Sequence, residues 1–375
     1  MNIQNNYILR LFIASFFLIA PAICAQEDAA SIIRAADKLT YENPDKAIEI
    51  ATALYENPET SDKYKINALM TISNAYSSKR DYEKSLEFVF KIRSYLPKIK
   101  DKKQQINILN KIGSQYNDLK IYDKSIDYLD EALVLIEAYP EKDSIQQLLG
   151  YNNILRGFVY REQMSCDVAL KYFDKAIEAY DKTLHNPVMN ANVSICHYNK
   201  GNCLFDLNRI QEAEQSFQKS IRHAERINAP SLIAFAQKGL AEVQSRRGNY
   251  QEAIEILNSA ISNSENVGDL VLNRGLYEGL SNNYLAINDW ENYTLYREKF
   301  LALQKETRLS ERKSINHSLL NITIASASEI ERSHTLFKPI QMGLILLIIG
   351  FVILLIRMVL TSEKKLSRLK KALKE

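Results

Sequence analysis

Five histidines, four cysteines and a scatter of carboxylates are the side chains of this 375-residue chain that could carry out chemistry. His185, His197, His223, His317 and His334 form no HExxH and share no recognisable catalytic spacing. His197 falls at a packing position and reads as a core histidine. GxSxG, P-loop and GxGxxG patterns are all missing. Carboxylates such as Asp127, Asp130 and Glu131 alternate with lysines, the ordinary look of a solvated helix face. The expectation is therefore no catalytic site, no cofactor and no metal. With 48 basic and 45 acidic residues the net charge is +3, which offers no field for nucleic acid.

Cys24 sits in an N-terminal apolar segment, leaving Cys166, Cys196 and Cys203 in the body of the chain. Cys196 and Cys203 are seven apart on one expected helix, a rise of about 10 Å, too far for a disulfide. There is no CxxC, and an odd count in an oxidising compartment leaves at least one free thiol or an intermolecular bond. Small buried thiols are the expected state.

The elements that must position these residues are helices. Only 11 glycines and 8 prolines in this length leave little turn chemistry for strands, and 46% hydrophobic content is ample for a large core. Residues 1–25 read as a secretory signal peptide: Arg10, then apolar Leu11 to Ala20, then Ile23-Cys24-Ala25 ahead of Gln26, with cleavage after Ala25. A lipid anchor on Cys24 is the alternative, although Ile23 stands where such signals place Gly or Ala. A second apolar segment, 339–360, is long enough to cross a bilayer as one helix. A basic tail, 361–375, follows it with Lys364, Lys365, Arg368, Lys370, Lys371 and Lys374. The positive-inside rule places that tail in the cytoplasm, in agreement with a signal peptide that sends the rest outside.

Between 27 and 306 the chain repeats itself. The recurring segment opens on a large residue and carries a small one three positions on: Tyr82-EKSLEFVFKI, Tyr122-DKSIDYLDEAL, Cys166-DVALKYFDKAI, Ile210-QEAEQSFQKSI, Tyr250-QEAIEILNSAI and Trp290-ENYTLYREKFL, after a worn first copy at Asp45. Their small positions, Ala47, Ser85, Ser125, Ala169, Ala213 and Ala253, then Tyr293 in the last copy, are 38, 40, 44, 44, 40 and 40 apart. Before each lies another helix with a small residue near its middle and, in four copies, an aromatic three later, as in Ser73 and Tyr76, Gly113 and Tyr116, Gly157 and Tyr160, and Ser281 and Tyr284. Pro97, Pro140, Pro187 and Pro230 are expected to end second helices. Each unit is a helical hairpin.

These residues resemble the tetratricopeptide repeat (TPR), most closely in Tyr198-NKGNCLFDLNRIQEAEQSFQKSI, where Gly201, Ala213, Phe217 and Ser220 stand at the family's packing positions. The period near 40 exceeds the family's usual 34 and implies longer helices. The resemblance implies an all-α fold, a TPR-like α-solenoid of about seven hairpins, with first helices lining a concave face that binds a protein or peptide ligand. The family's groove-facing positions map to Asn74, Asn107, Asn110, Asn117, Asn202 and Asn282, with Lys238 and Arg246 as groove cations. Asparagine amides suit the backbone of an extended peptide. The same residues equally fit a solvated polar face. The chaperone-type carboxylate clamp is not reproduced.

Residues 307–338 read as a helical stalk. In the tail, Val359, Leu366 and Leu373 are spaced by seven, which fits a coiled-coil stub or a basic amphipathic tail on lipid. The layout resembles the extracytoplasmic sensor half of bacterial membrane-anchored TPR regulators. It implies a single-pass protein of the bacterial inner membrane with a periplasmic solenoid. Because only a short tail follows the membrane, the expected partner is a cytoplasmic signalling protein or a second copy in a homodimer. The alternative is a passive scaffold or tether for an envelope complex.

Overall fold

The shortage of glycine and proline is realised as long helices joined by tight turns. In this computed structural model residues 29–40, 43–264 and 269–372 are described, with 310–336, 367, 371 and 372 described by their backbone alone. The signal-peptide segment, Cys24 and Leu373 lie outside the described residues. The helices are α1 (29–40), α2 (Pro44–Glu56), α3 (Asp62–Ser78), α4 (Tyr82–Arg93), α5 (Lys102–Asp118), α6 (Tyr122–Ala138), α7 (Gln146–Gln163), α8 (Cys166–Asp181), α9 (Met189–Asp206), α10 (Ile210–Glu225), α11 (Pro230–Arg247), α12 (Tyr250–Asn263), α13 (Leu270–Ala286) and α14 (Trp290–Ala372). No strand occurs among the described residues. Taken in twos these are seven pairs, and α4, α6, α8, α10, α12 and α14 each begin on the large residue that opens a repeat.

In five of the pairs the turn is made by one residue in the left-handed region. Arg80, Lys120, Asn208, Gly248 and Asn288 have φ of 61°, 60°, 60°, 86° and 62°. Each allows the next amide to reach back to the end of the preceding helix, as Asp81 N donates to Tyr76 O at 2.9 Å and Arg209 N to Leu204 O at 2.8 Å. This is the Schellman pattern, which satisfies carbonyls that the helix end would leave bare. Only one of the five is glycine, so the others hold a conformation that costs L-residues about 1 kcal/mol or more.

Small residues let paired helices close. The Ser73 and Ser85 hydroxyls meet at 3.0 Å, and Ser125 Oγ donates to Gly113 O at 2.8 Å, both across 12 residues of sequence. Gly157 makes room for the Phe173 ring, and Gly201 and Gly239 hold the Phe217 ring between them. Both rings are fully buried, which contributes roughly 2–3 kcal/mol each in apolar burial. The aromatics three positions on meet rings across the pair: Tyr76 stacks on Phe88, Tyr116 on Tyr128 and Tyr284 on Tyr296, while Tyr160 lies tilted against Tyr172, with centroids 4.8–5.6 Å apart.

Pro230 corrects the punctuation read from sequence. It is the first residue of α11 and starts a helix, because a first-turn residue needs no N–H partner and Pro supplies the helical φ. Pro140 follows the end of α6, and Pro97 lies in a short 3-10 turn after α4.

The chain divides into two compact units, Met1–Asn316 and His317–Glu375. The first holds the paired helices. In the second, Phe337–Lys370 is helical, long and apolar enough to cross a membrane, and its apolar side chains are exposed. Pro339 lies inside that helix.

Candidate functional site

Two of the polar hollows in the paired-helix unit gather residues at sequence-derived positions. The first, of about 510 Å³, is built mainly on α11 and α13 and gathers Lys238, Arg246 and Asn282 of the sequence-derived positions. Lys238 Nζ donates to Glu242 Oε1 at 2.5 Å, one turn along α11. Gly275 accommodates its stem, since a Cβ there would lie 2.7 Å from the lysine Cε. Burial pulls the Lys238 pKa down, but Tyr198 and Glu242 outweigh it and the net push is upward, so the residue stays an ammonium at neutral pH. Arg246 sets its guanidinium over the Phe205 ring, 4.8 Å from the centroid. Asn282 is exposed, while its neighbour Asn283 is buried and accepts from Ser245 Oγ at 2.7 Å. With Glu278, Phe205 and Leu257 also on the lining, the hollow presents donors, acceptors and apolar surface to an extended chain.

The second hollow, of about 650 Å³, contains Asn74. It also contains charged groups that sequence reasoning missed: Arg80, Lys111, Asp118, Asp269 and Glu306. Asp118 accepts from Ser77 Oγ at 2.7 Å, and Arg80 donates to the Tyr82 hydroxyl at 2.7 Å. Burial raises the Asp118 pKa against the opposing pull of Lys111, Ser77 and Arg80. Burial likewise lowers Lys111, to about 8, with Asp118 resisting. The available signal was the seven-residue spacing of Lys111 and Asp118, which puts both on one face of α5.

The remaining asparagines do not converge. Asn107 points its amide at the Met70 sulfur, 3.9 Å away, and Asn117 and Asn202 are half-buried on α5 and α9 outside both linings. Asn110 is a correction. It is fully buried, donates to Leu148 O at 3.1 Å and accepts from Asn152 Nδ2 at 2.8 Å, so no ligand can reach it. Arg156 donates to Asn152 Oδ1 at 2.8 Å and to Asp130 Oδ1 at 2.6 Å, which makes the set a structural network tying α5, α6 and α7.

No group of three His, Cys, Asp or Glu side chains suited to a metal occurs among the described residues. His197 is buried against His223, ring centroids 5.9 Å apart, and burial, with His223 adding to it, pulls its pKa down to about 3. All three described cysteines are free thiols. Cys196 and Cys203 are buried, and Cys166 sits at the start of α8 within hydrogen-bonding reach of Cys203.

Residues 193–266 match the family model described as tetratricopeptide repeat. NprR, solved in complex with its cognate peptide NprX, superposes with a TM-score of 0.54 at 14% identity, covering 86% of this chain and 97% of that one. A Rap protein complexed with the competence and sporulation factor matches with a TM-score of 0.49 at 14% identity, over 76% of this chain and 99% of that one. Aspartyl phosphate phosphatase F from Bacillus subtilis matches with a TM-score of 0.47 at 14% identity, over 83% of each. At these identities the likeness is one of fold. A sequence comparison with curated proteins finds no match.

Proposed function

Because the chain is a tetratricopeptide-repeat protein, and so carries a protein–protein interaction module, we propose that it binds an extended segment of a partner on the hollow of Lys238, Glu242, Arg246 and Asn282. The single observation that carries this reading is the convergence of those side chains on one lining. Fixed positive charge, exposed amide groups and apolar surface together recognise a backbone and a few side chains. NprR, which shares the fold, was solved with a bound peptide.

The array works outside the cell and is held by the apolar helix Phe337–Lys370, with the basic residues of the tail on the cytoplasmic side. Binding is passed through that helix to a cytoplasmic partner or a second copy, which makes the protein an accessory sensor without chemistry of its own.

A photo-crosslinking residue at position 282 of the full chain, in native membranes, tests the binding surface. One partner should be captured there and not from position 134, where Val134 is 65% exposed. Capture should be lost in the K238E/R246E double variant. Equal capture from both positions would reject the groove. Replacing residues 340–360 with an unrelated apolar helix tests the relay, because a response that survives the exchange makes the chain a passive tether. Digestion of the array by protease added to intact spheroplasts tests its side of the membrane.

A further inference from the structure

The second hollow holds a charge that the helical array leaves unanswered. Lys111 is 6% exposed and lines the cavity, yet its ammonium makes no hydrogen bond and no ion pair among the described residues. Apart from Glu306, the charges on the lining are engaged elsewhere. Asp118, two turns along α5, accepts from Ser77. Asp269 caps α13, accepting from the amides of Val271 and Leu272 at 2.9 and 3.0 Å. Lys79 pairs with Asp45, and Arg80 donates to Tyr82. A buried ammonium with unspent donors is costly, and one that faces a cavity marks a place where a ligand supplies the missing acceptor.

We infer that this hollow is a second ligand site, in which the Lys111 ammonium receives the carboxylate of a small ligand with an apolar body. A monoanion fits better than a phosphate, because the carboxylates of Asp118, Asp269 and Glu306 on the same lining repel a second negative charge. Ile154, Leu155 and Phe158 offer the apolar wall, and about 650 Å³ is the size of a small-molecule pocket. No lining residue is shared with the Lys238 groove, so this site stands whether or not a partner binds there.

The carboxylate belongs either to a free organic acid or to the C-terminus of a short peptide, and one experiment separates these sources. Full-length protein in detergent, wild type and K111M, is incubated with a pool of small aliphatic and aryl carboxylic acids and with a pool of randomised tripeptides. Each pool is paired with its amide counterpart, and retained ligands are read by native mass spectrometry. Wild type should retain members of one acid pool and not their amides, and K111M should lose at least tenfold of that retention. The K238E/R246E variant should retain them as wild type does. Amides held as well as acids, undiminished retention by K111M, or no retention of either acid pool by wild type would each overturn the site. Thermal melting of K111M, which should match or exceed wild type, excludes loss through unfolding.

Discussion

Gly157 on α7 and Phe173 on α8 are so close that a Cβ on the glycine would lie 2.4 Å from the Phe173 ring. The ring is fully buried and has no free space to enter, so the glycine sets how near the two helices come. The same relation recurs between Gly201 and Phe217, which makes glycine–aromatic contact a repeated joint of the array.

Gly157→Val should therefore destabilise the array by about 2–3 kcal/mol, the cost of overpacking a filled core. Chemical denaturation of the full chain in detergent checks this. A change below about 0.5 kcal/mol would mean that Phe173 moves aside freely.

Lys120 holds the left-handed turn position between α5 and α6, with φ of 60°, and its side chain is exposed. Lys120→Gly removes the Cβ strain and should raise stability by roughly 0.5–1 kcal/mol, net of the extra freedom glycine has when unfolded. The comparison is Gly248→Ala at φ of 86°, which should lower stability by about 1 kcal/mol. Melting temperatures that move in the same direction for both would refute the turn argument.

Lys111→Met should stabilise the protein at pH 7. Folding lowers the lysine pKa from 10.5 to about 8, which corresponds to on the order of 3 kcal/mol, partly offset in the variant because Asp118 loses a neighbouring positive charge. Between pH 8 and 10.5 the unfolded chain binds more protons at this site than the folded one. The stability of wild type should therefore rise with pH across that window relative to K111M. The charged groups that line the hollow with Lys111 are Lys79, Arg80, Asp118, Asp269 and Glu306. The Arg80 pKa is pushed upward overall, so its guanidinium keeps its proton across that window. Parallel stability curves for the two proteins between pH 8 and 10 would remove Lys111 as a buried cation.

Burial pushes the thiols of Cys196 and Cys203 upward, and Cys166 less deeply buried is raised as well. Thiolate is the reactive form, so native alkylation should label Cys166 first and leave Cys196 unlabelled until denaturant is added. Peptide mapping after timed iodoacetamide treatment reads the order. Rapid labelling of Cys196 would show that α9 is not packed as described.

Much of the fold was legible because its determinants are local. A large residue opening each second helix, a small one three later and a partner small residue twelve back all lie within one hairpin, as Ser73 with Ser85 and Gly113 with Ser125 show. The apolar run from Met342 to Ile356 is local in the same sense. Pro230 was misread because proline fits the first turn of a helix as well as it ends one.

The site was legible only in part. Lys238, Arg246 and Asn282 share a lining, whereas Asn110, three residues before the small position Gly113, is buried. What decides between them is the next repeat: Asn152, 42 residues on, comes to face Asn110 and takes up its amide. The solitude of Lys111 and the meeting of Cys166 with Cys203 have the same origin. Sequence periodicity determined which residues form each hairpin and which face they share, because those spacings obey helix geometry. The stacking of successive hairpins, which no single repeat contains, decided which polar groups are satisfied, which are sealed and which are left open to a ligand.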